Sequence, residues 1–301
     1  MLILAGILVG GAVAFLAPAS VLWMRPALQP AFAVTMFFVG TLVPPEQVRG
    51  FAAAPTRVLT GLLAQYTIMP LTAAAVASLF SDPTMRAGIV LVGCLPGAMA
   101  SNVMTVLLRG DVVLSVSLTT LATLLSPVVL AAWLPILADA RVPLPAGPIA
   151  ANAAWMVVLP VAAGIGLRLW RTDMPRHWEK AATSLASLAI VLIVLVVVAA
   201  NRDHLADLGP AVAAAMVALN LVAYGLAFLA ATAMRWPPAQ RRTLVIEVGM
   251  QNAGLGSVLA LTHLGEGGAV PSAFYTGLCV VTAGLALPFR RRLDASSTHA
   301  P

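Results

Sequence analysis

Glu247 stands inside an apolar run from Thr243 to Leu264, in the stretch Ile246-Glu247-Val248-Gly249-Met250-Gln251-Asn252-Ala253-Gly254-Leu255-Gly256-Ser257. The run is long enough to cross a bilayer, for which about 20 residues are needed. A carboxylate at that depth costs roughly 3 kcal/mol or more, and each glycine loosens a helix by about 1 kcal/mol relative to alanine. A helix that only fills space avoids both. The combination points to a helix that opens near its middle and frees backbone carbonyls to meet a ligand beside Glu247 and Gln251. The alternative is a polar cluster that cross-links helices.

A second interrupted stretch, Gly93-Cys94-Leu95-Pro96-Gly97-Ala98-Met99-Ala100-Ser101-Asn102-Val103-Met104-Thr105, carries a mid-span Pro-Gly pair followed by two oxygen donors. Proline removes a backbone donor and glycine permits non-helical torsions. The next apolar run holds Ser115 and Thr119, four residues apart on one helix face, with Ser117, Thr120 and Thr123 nearby. Taken singly, such hydroxyls bond their own helix. As a set with Glu247 they supply the all-oxygen surroundings that a hard cation requires. The pattern favours sodium; a proton carried on Glu247 is the alternative, although it needs one carboxylate and no ring of neutral oxygens. Gln65, in Ala64-Gln65-Tyr66-Thr67-Ile68-Met69-Pro70, is a third polar residue at mid-span.

The elements that must position these residues are membrane helices. The chain is 60% hydrophobic and 9% charged, where soluble domains carry roughly 25% charged residues. Its apolar runs are continuous, which excludes a barrel of alternating strands. About ten spans are expected by length: Leu2–Ala17, Ala27–Leu42, Thr56–Leu79, Arg86–Leu108, Val112–Leu137, Ile149–Leu169, Ala181–Ala200, Pro210–Met234, Thr243–Leu264 and Ser272–Phe289. The opening MLILAGILVGGAVAFLAPAS lacks a basic leader region and reads as the first, short span. With both termini on the cytoplasmic side, thirteen of the 17 basic residues fall in inside loops and four (Arg25, Arg86, Arg141, Arg202) outside, as the positive-inside rule requires. The expected location is therefore the cell inner (plasma) membrane. The net charge of +6 comes from these loop arginines and implies no nucleic acid partner; Cys94 and Cys279 read as buried thiols.

Glu247 is the one acidic residue expected at mid-membrane, and no basic residue is expected at that depth to pair with it. A proton or an ion from outside the chain must balance it. A shift of about 156 residues lays Val92-Gly93 on Val248-Gly249 and Ser101 on Ser257. Halves of five spans have opposite orientations, and inverted repeats with paired interrupted helices mark alternating-access transporters. Enzyme chemistry is not expected, because His177, His204, His263 and His299 lie at span ends, in loops or in the tail.

These motifs, with Arg109-Gly110-Asp111-Val112-Val113-Leu114-Ser115-Val116 and Phe38-Val39-Gly40-Thr41-Leu42, resemble the bile acid:sodium symporter family over nearly the whole chain. The resemblance implies an all-α membrane protein of ten helices in two inverted five-helix repeats, with broken, crossing helices four and nine. It implies panel-domain parts at 1–48 and 141–204, core-domain parts at 49–140 and 205–292, and a cytoplasmic tail at 293–301. It implies two sodium ions, one among Ser101, Asn102, Ser115, Thr119 and Glu247, the other among Gln65, Glu247, Gln251 and the carbonyls of Val248 and Met250. A small organic anion would bind near Met99, Asn252 and Asn220, and no obligate protein partner is implied. The tenth span lacks the His-Asn pair of some bile-acid-carrying members, which leaves bile salts, pantothenate, pyruvate and other keto acids as candidates. A proton-coupled or uncoupled anion carrier of the same fold is the alternative.

Overall fold

The computed structural model describes residues 10–44, 54–137, 145–171, 175–200 and 202–286. The start of the first expected span, the loops at 45–53 and 138–144, and the tail at 293–301 lie outside the described residues. Among the described residues the chain is helical and has no strand, apart from one isolated antiparallel bridge between Gly97 and Gln251.

After a short 3-10 turn, α1 (Leu28–Thr41) buries Leu28, Phe32, Met36 and Gly40, a stripe at helical spacing. Helix α2 (Pro55–Ala77) opens with proline in its first turn, where the missing N–H has no helical partner to lose. Helix α3 (Pro83–Cys94) is capped by Asp82, whose carboxylate accepts from the Thr84 and Met85 amides at 3.0 and 3.3 Å. Then come α4 (Ala100–Leu107), α5 (Val112–Leu137) and α6 (Ala146–Trp170). Within α6, residues Ala154–Val158 form a π-turn, and the Leu159 amide reaches back to the Ala154 carbonyl. Pro160 follows and has no N–H to give, so the register loosens there. Helix α7 is Arg176–Ala200 and α8 Arg202–Ala233. The last three are α9 (Pro238–Gly249), α10 (Ala253–His263) and α11 (Gly265–Leu285).

Five of these helices are long and apolar enough to cross a membrane: α2, α5, α6, the Pro210–Ala233 part of α8, and α11. Helices α3 and α10 are shorter apolar segments. The expected fourth and ninth spans are each split in two, at Leu95–Met99 and at Met250–Asn252. The expected tenth span starts earlier than its apolar run suggests, because α10 and α11 meet at Leu264 and Gly265 turns the chain with φ +76.

Helix α1 packs on α6 and α7; α2 to α5 and α8 to α11 pack on one another, with α3 against α11 and α9 against α2, α4 and α5, and the two sets meet where α6 lies on α5 and α10 and α7 on α10 and α11. The α1–α6 contact depends on bare backbone. A methyl group on Gly164 would strike the Phe37 carbonyl, and one on Gly40 the Val161 carbonyl. Gly166, one half-turn away, has open space around it. Gly164→Ala should therefore lower the melting temperature in detergent, since overpacking costs about 1–3 kcal/mol. Gly166→Ala should leave it unchanged or raise it, because helix propensity then acts alone.

Candidate functional site

The two interruptions lie against each other and exchange backbone hydrogen bonds. The Ala98 amide donates to the Met250 carbonyl at 2.7 Å, and the Asn252 amide donates to the Pro96 carbonyl at 2.8 Å. Opening a helix leaves carbonyls without their usual donors, which an apolar interior does not tolerate. Side chains meet two of them near the second break. The Val248 carbonyl accepts from Gln251 Nε2 at 2.7 Å, and the Gly249 carbonyl from Asn220 Nδ2 at 2.8 Å and the Tyr275 hydroxyl at 2.9 Å. Asn252 caps α10 by accepting from the Leu255 amide at 3.2 Å.

The carboxylate of Glu247, fully buried in the last turns of α9, points at hydroxyls from α4 and α5. Oε1 accepts from Ser101 Oγ at 2.6 Å and Ser115 Oγ at 2.5 Å, and Oε2 from Thr119 Oγ1 at 2.7 Å. Asn102 Oδ1 lies 2.9 Å from Ser115 Oγ and 3.4 Å from Thr119 Oγ1. Each hydroxyl has one proton. Once those of Ser115 and Thr119 are committed to Glu247, neither is left for Asn102 Oδ1. Oxygens thus outnumber protons, the condition under which a cluster gains from a cation. Among the described residues no basic side chain lies within ion-pair distance of Glu247. The five residues expected around the first ion are therefore brought together.

On the other side of the crossing, both side-chain heteroatoms of Gln65 are buried without a hydrogen-bond partner, as is Gln251 Oε1. Gln65 and Glu247 flank Gly97: a Cβ built there would lie 2.9 Å from Glu247 Oε2 and 3.5 Å from Gln65 Nε2. The Val248 and Met250 carbonyls each hold one hydrogen bond and keep a lone pair. Met99 is half-buried at the start of α4, its sulfur 3.9 Å from Asn102 Nδ2. Asn252 is also half-buried, whereas Asn220 is fully buried and turned to the backbone of the break. Thr105, 3.1 Å from Ser115, and the residues around Gly249, Tyr224 and Tyr275, escaped the sequence reading. Tyrosines in apolar runs gave no signal by type or spacing.

Two helices interrupted face to face around a buried carboxylate, in a chain with several apolar membrane-length helices, define a multi-pass membrane transporter. Comparison with known sequences identifies the group: the profile described as the Sodium Bile acid symporter family matches residues 29–208, and the chain belongs to that family. It is 33% identical over 271 residues to the uncharacterized sodium-dependent transporter YocS of Bacillus subtilis, covering 90% of this chain and 84% of that one. It is 30% identical over 251 residues to the probable sodium/metabolite cotransporter BASS1, chloroplastic, of Arabidopsis thaliana, covering 83% of this chain and 63% of that one. It is 29% identical over 235 residues to the sodium/bile acid cotransporter 4 of Homo sapiens, covering 75% and 53%. The chain thus spans less than two thirds of the length of those two eukaryotic relatives.

Thr119→Val keeps shape and removes the donor to Glu247 Oε2. It should destabilise the purified protein by about 1–3 kcal/mol, read as a fall in melting temperature, whereas Thr60→Val, whose hydroxyl only bonds its own helix at Thr56 and Arg57, should change little.

Proposed function

We propose that the chain is a secondary transporter that moves a small organic anion together with sodium. The observation that carries this reading is the buried Glu247, met by three hydroxyls and by no basic side chain among the described residues. One sodium is assigned to Ser101, Asn102, Ser115, Thr119 and Glu247. A second is assigned to Gln65, Glu247, Gln251 and the Val248 and Met250 carbonyls, supported by the unpartnered amide oxygens of Gln65 and Gln251. Two ions around one carboxylate leave a net positive charge at the crossing, the attraction that an anion needs. The sodium-dependent and sodium/metabolite relatives support the same coupling.

In this reading the full chain has ten membrane helices in two inverted repeats of five, with both termini cytoplasmic in the plasma membrane. Helices α2 to α5 and α8 to α11 belong to a core and α1, α6 and α7 to a panel, a division supported by the packing of α1 on α6 and α7. The anion binds between panel and core beside Met99 and Asn252, both half-buried at the crossing. Gly254 supports this side, since a Cβ there would lie 3.7 Å from both Asn252 Oδ1 and Phe32 of α1. Ion binding orders the crossing, the ordered crossing binds the anion better, and linkage makes the coupling reciprocal. Movement of the core against the panel then exposes the site to the other side.

Sodium should raise the melting temperature of purified protein where potassium at equal ionic strength does not; occupancy at a hundred times Kd adds about 2.7 kcal/mol. Glu247→Gln should abolish that difference and, in proteoliposomes, sodium-driven uptake from a panel of bile salts, pantothenate and keto acids. Uptake that follows a pH gradient and ignores sodium would replace this reading by proton coupling on Glu247.

A further inference from the structure

Asn220 is tied by its amide nitrogen to the backbone of the second break, while its Oδ1 is buried without a hydrogen-bond partner. It is fully buried on α8, and one Nδ2 proton goes to the Gly249 carbonyl at 2.8 Å while the other faces the Tyr275 hydroxyl at 3.0 Å. Tyr275, fully buried on α11, gives its own proton to the same carbonyl at 2.9 Å. The triangle uses every available proton and both lone pairs of one carbonyl oxygen.

That carbonyl closes α9. In an unbroken helix it would accept from the Ala253 amide four residues on, but that amide is 2.8 Å from the Gln251 carbonyl instead. Tyr224 of α8 adds a steric constraint, because its ring lies so close against Gly249 that a Cβ there would collide with it. The peptide between Val248 and Met250 is therefore held from α8 and α11 at once.

We infer that Asn220 and Tyr275 are positioning residues for cation binding: by fixing the Gly249 carbonyl they aim the neighbouring Val248 and Met250 carbonyls at the ion. This rests on the sodium reading above. Neither side chain touches the ion; each acts through the peptide it holds. Glycine at 249 is what lets the Tyr224 ring lie against the end of α9.

The test is sodium titration of purified protein by thermal shift, with potassium keeping ionic strength constant. Tyr275→Phe, the least disruptive change, and Asn220→Leu, which keeps volume, adds no charge and loses both donors, should raise the half-saturating sodium concentration about three- to tenfold, the worth of one or two hydrogen bonds. Leu219→Ala, a fully buried apolar neighbour on α8, should lower the melting temperature in potassium and leave the sodium midpoint unchanged. If wild type shows sodium-specific stabilisation and Tyr275→Phe keeps the wild-type midpoint, the positioning role is wrong while the sodium reading stands. If wild type shows no sodium-specific stabilisation, both fall together.

Discussion

Two backbone hydrogen bonds, from Ala98 to the Met250 carbonyl and from Asn252 to the Pro96 carbonyl, let two helices stop in the middle of an apolar interior. A single broken helix there would expose unpaired amides and carbonyls, each costing several kcal/mol in hydrocarbon. Two breaks placed together satisfy part of each other's deficit. The Gly249 carbonyl is met by side chains from α8 and α11 and the Val248 carbonyl by Gln251 of the break itself, while the amide oxygens of Gln65 and Gln251 stay without a partner. The site therefore depends on the crossing before it depends on any single ligand residue.

The crossing also explains the glycines. Gly97 lets Glu247 and Gln65 approach the first break, and Gly93 lets α3 lie on the Met69 backbone of α2. Gly249 admits the Tyr224 ring beside the second break. Each marks a contact in which backbone is approached directly, and the approach brings Glu247 of α9 within reach of hydroxyls on α4 and α5. The carboxylate thus ties together elements far apart in sequence, with Ser101 and Glu247 separated by 146 positions.

Much of this was legible in the sequence because the polar residues contradict their surroundings. Glu247, the Pro96-Gly97 step and the Ser115, Thr119 pair stand out against apolar runs, and the breaks fall where proline, glycine and amides cluster. The fifth span begins and ends at the expected residues, Val112 and Leu137. What escaped was of two kinds. Tyr224 and Tyr275 look like ordinary apolar-run residues until the fold sets them against Gly249. Asn220 was conspicuous as a buried amide, but composition does not show that its nitrogen meets the Gly249 carbonyl while its oxygen is left without a partner.

The polar contacts at one end of the molecule contrast with this buried network. Arg25, just before α1, pairs with Glu266 of α11 at 3.1 Å, Gln29 of α1 donates to Thr262 at 3.0 Å, and Asn152 of α6 lies 2.8 Å from His263 Nε2. All three join the α1–α6 side to α10 and α11. The Arg25–Glu266 side chains are 43% and 44% exposed, and such pairs contribute about 1 kcal/mol or less. Water can replace each of these bonds at little cost, whereas at the crossing a lost bond leaves a buried group unmet. The bonds at this end are thus the more easily exchanged, and those at the crossing the less.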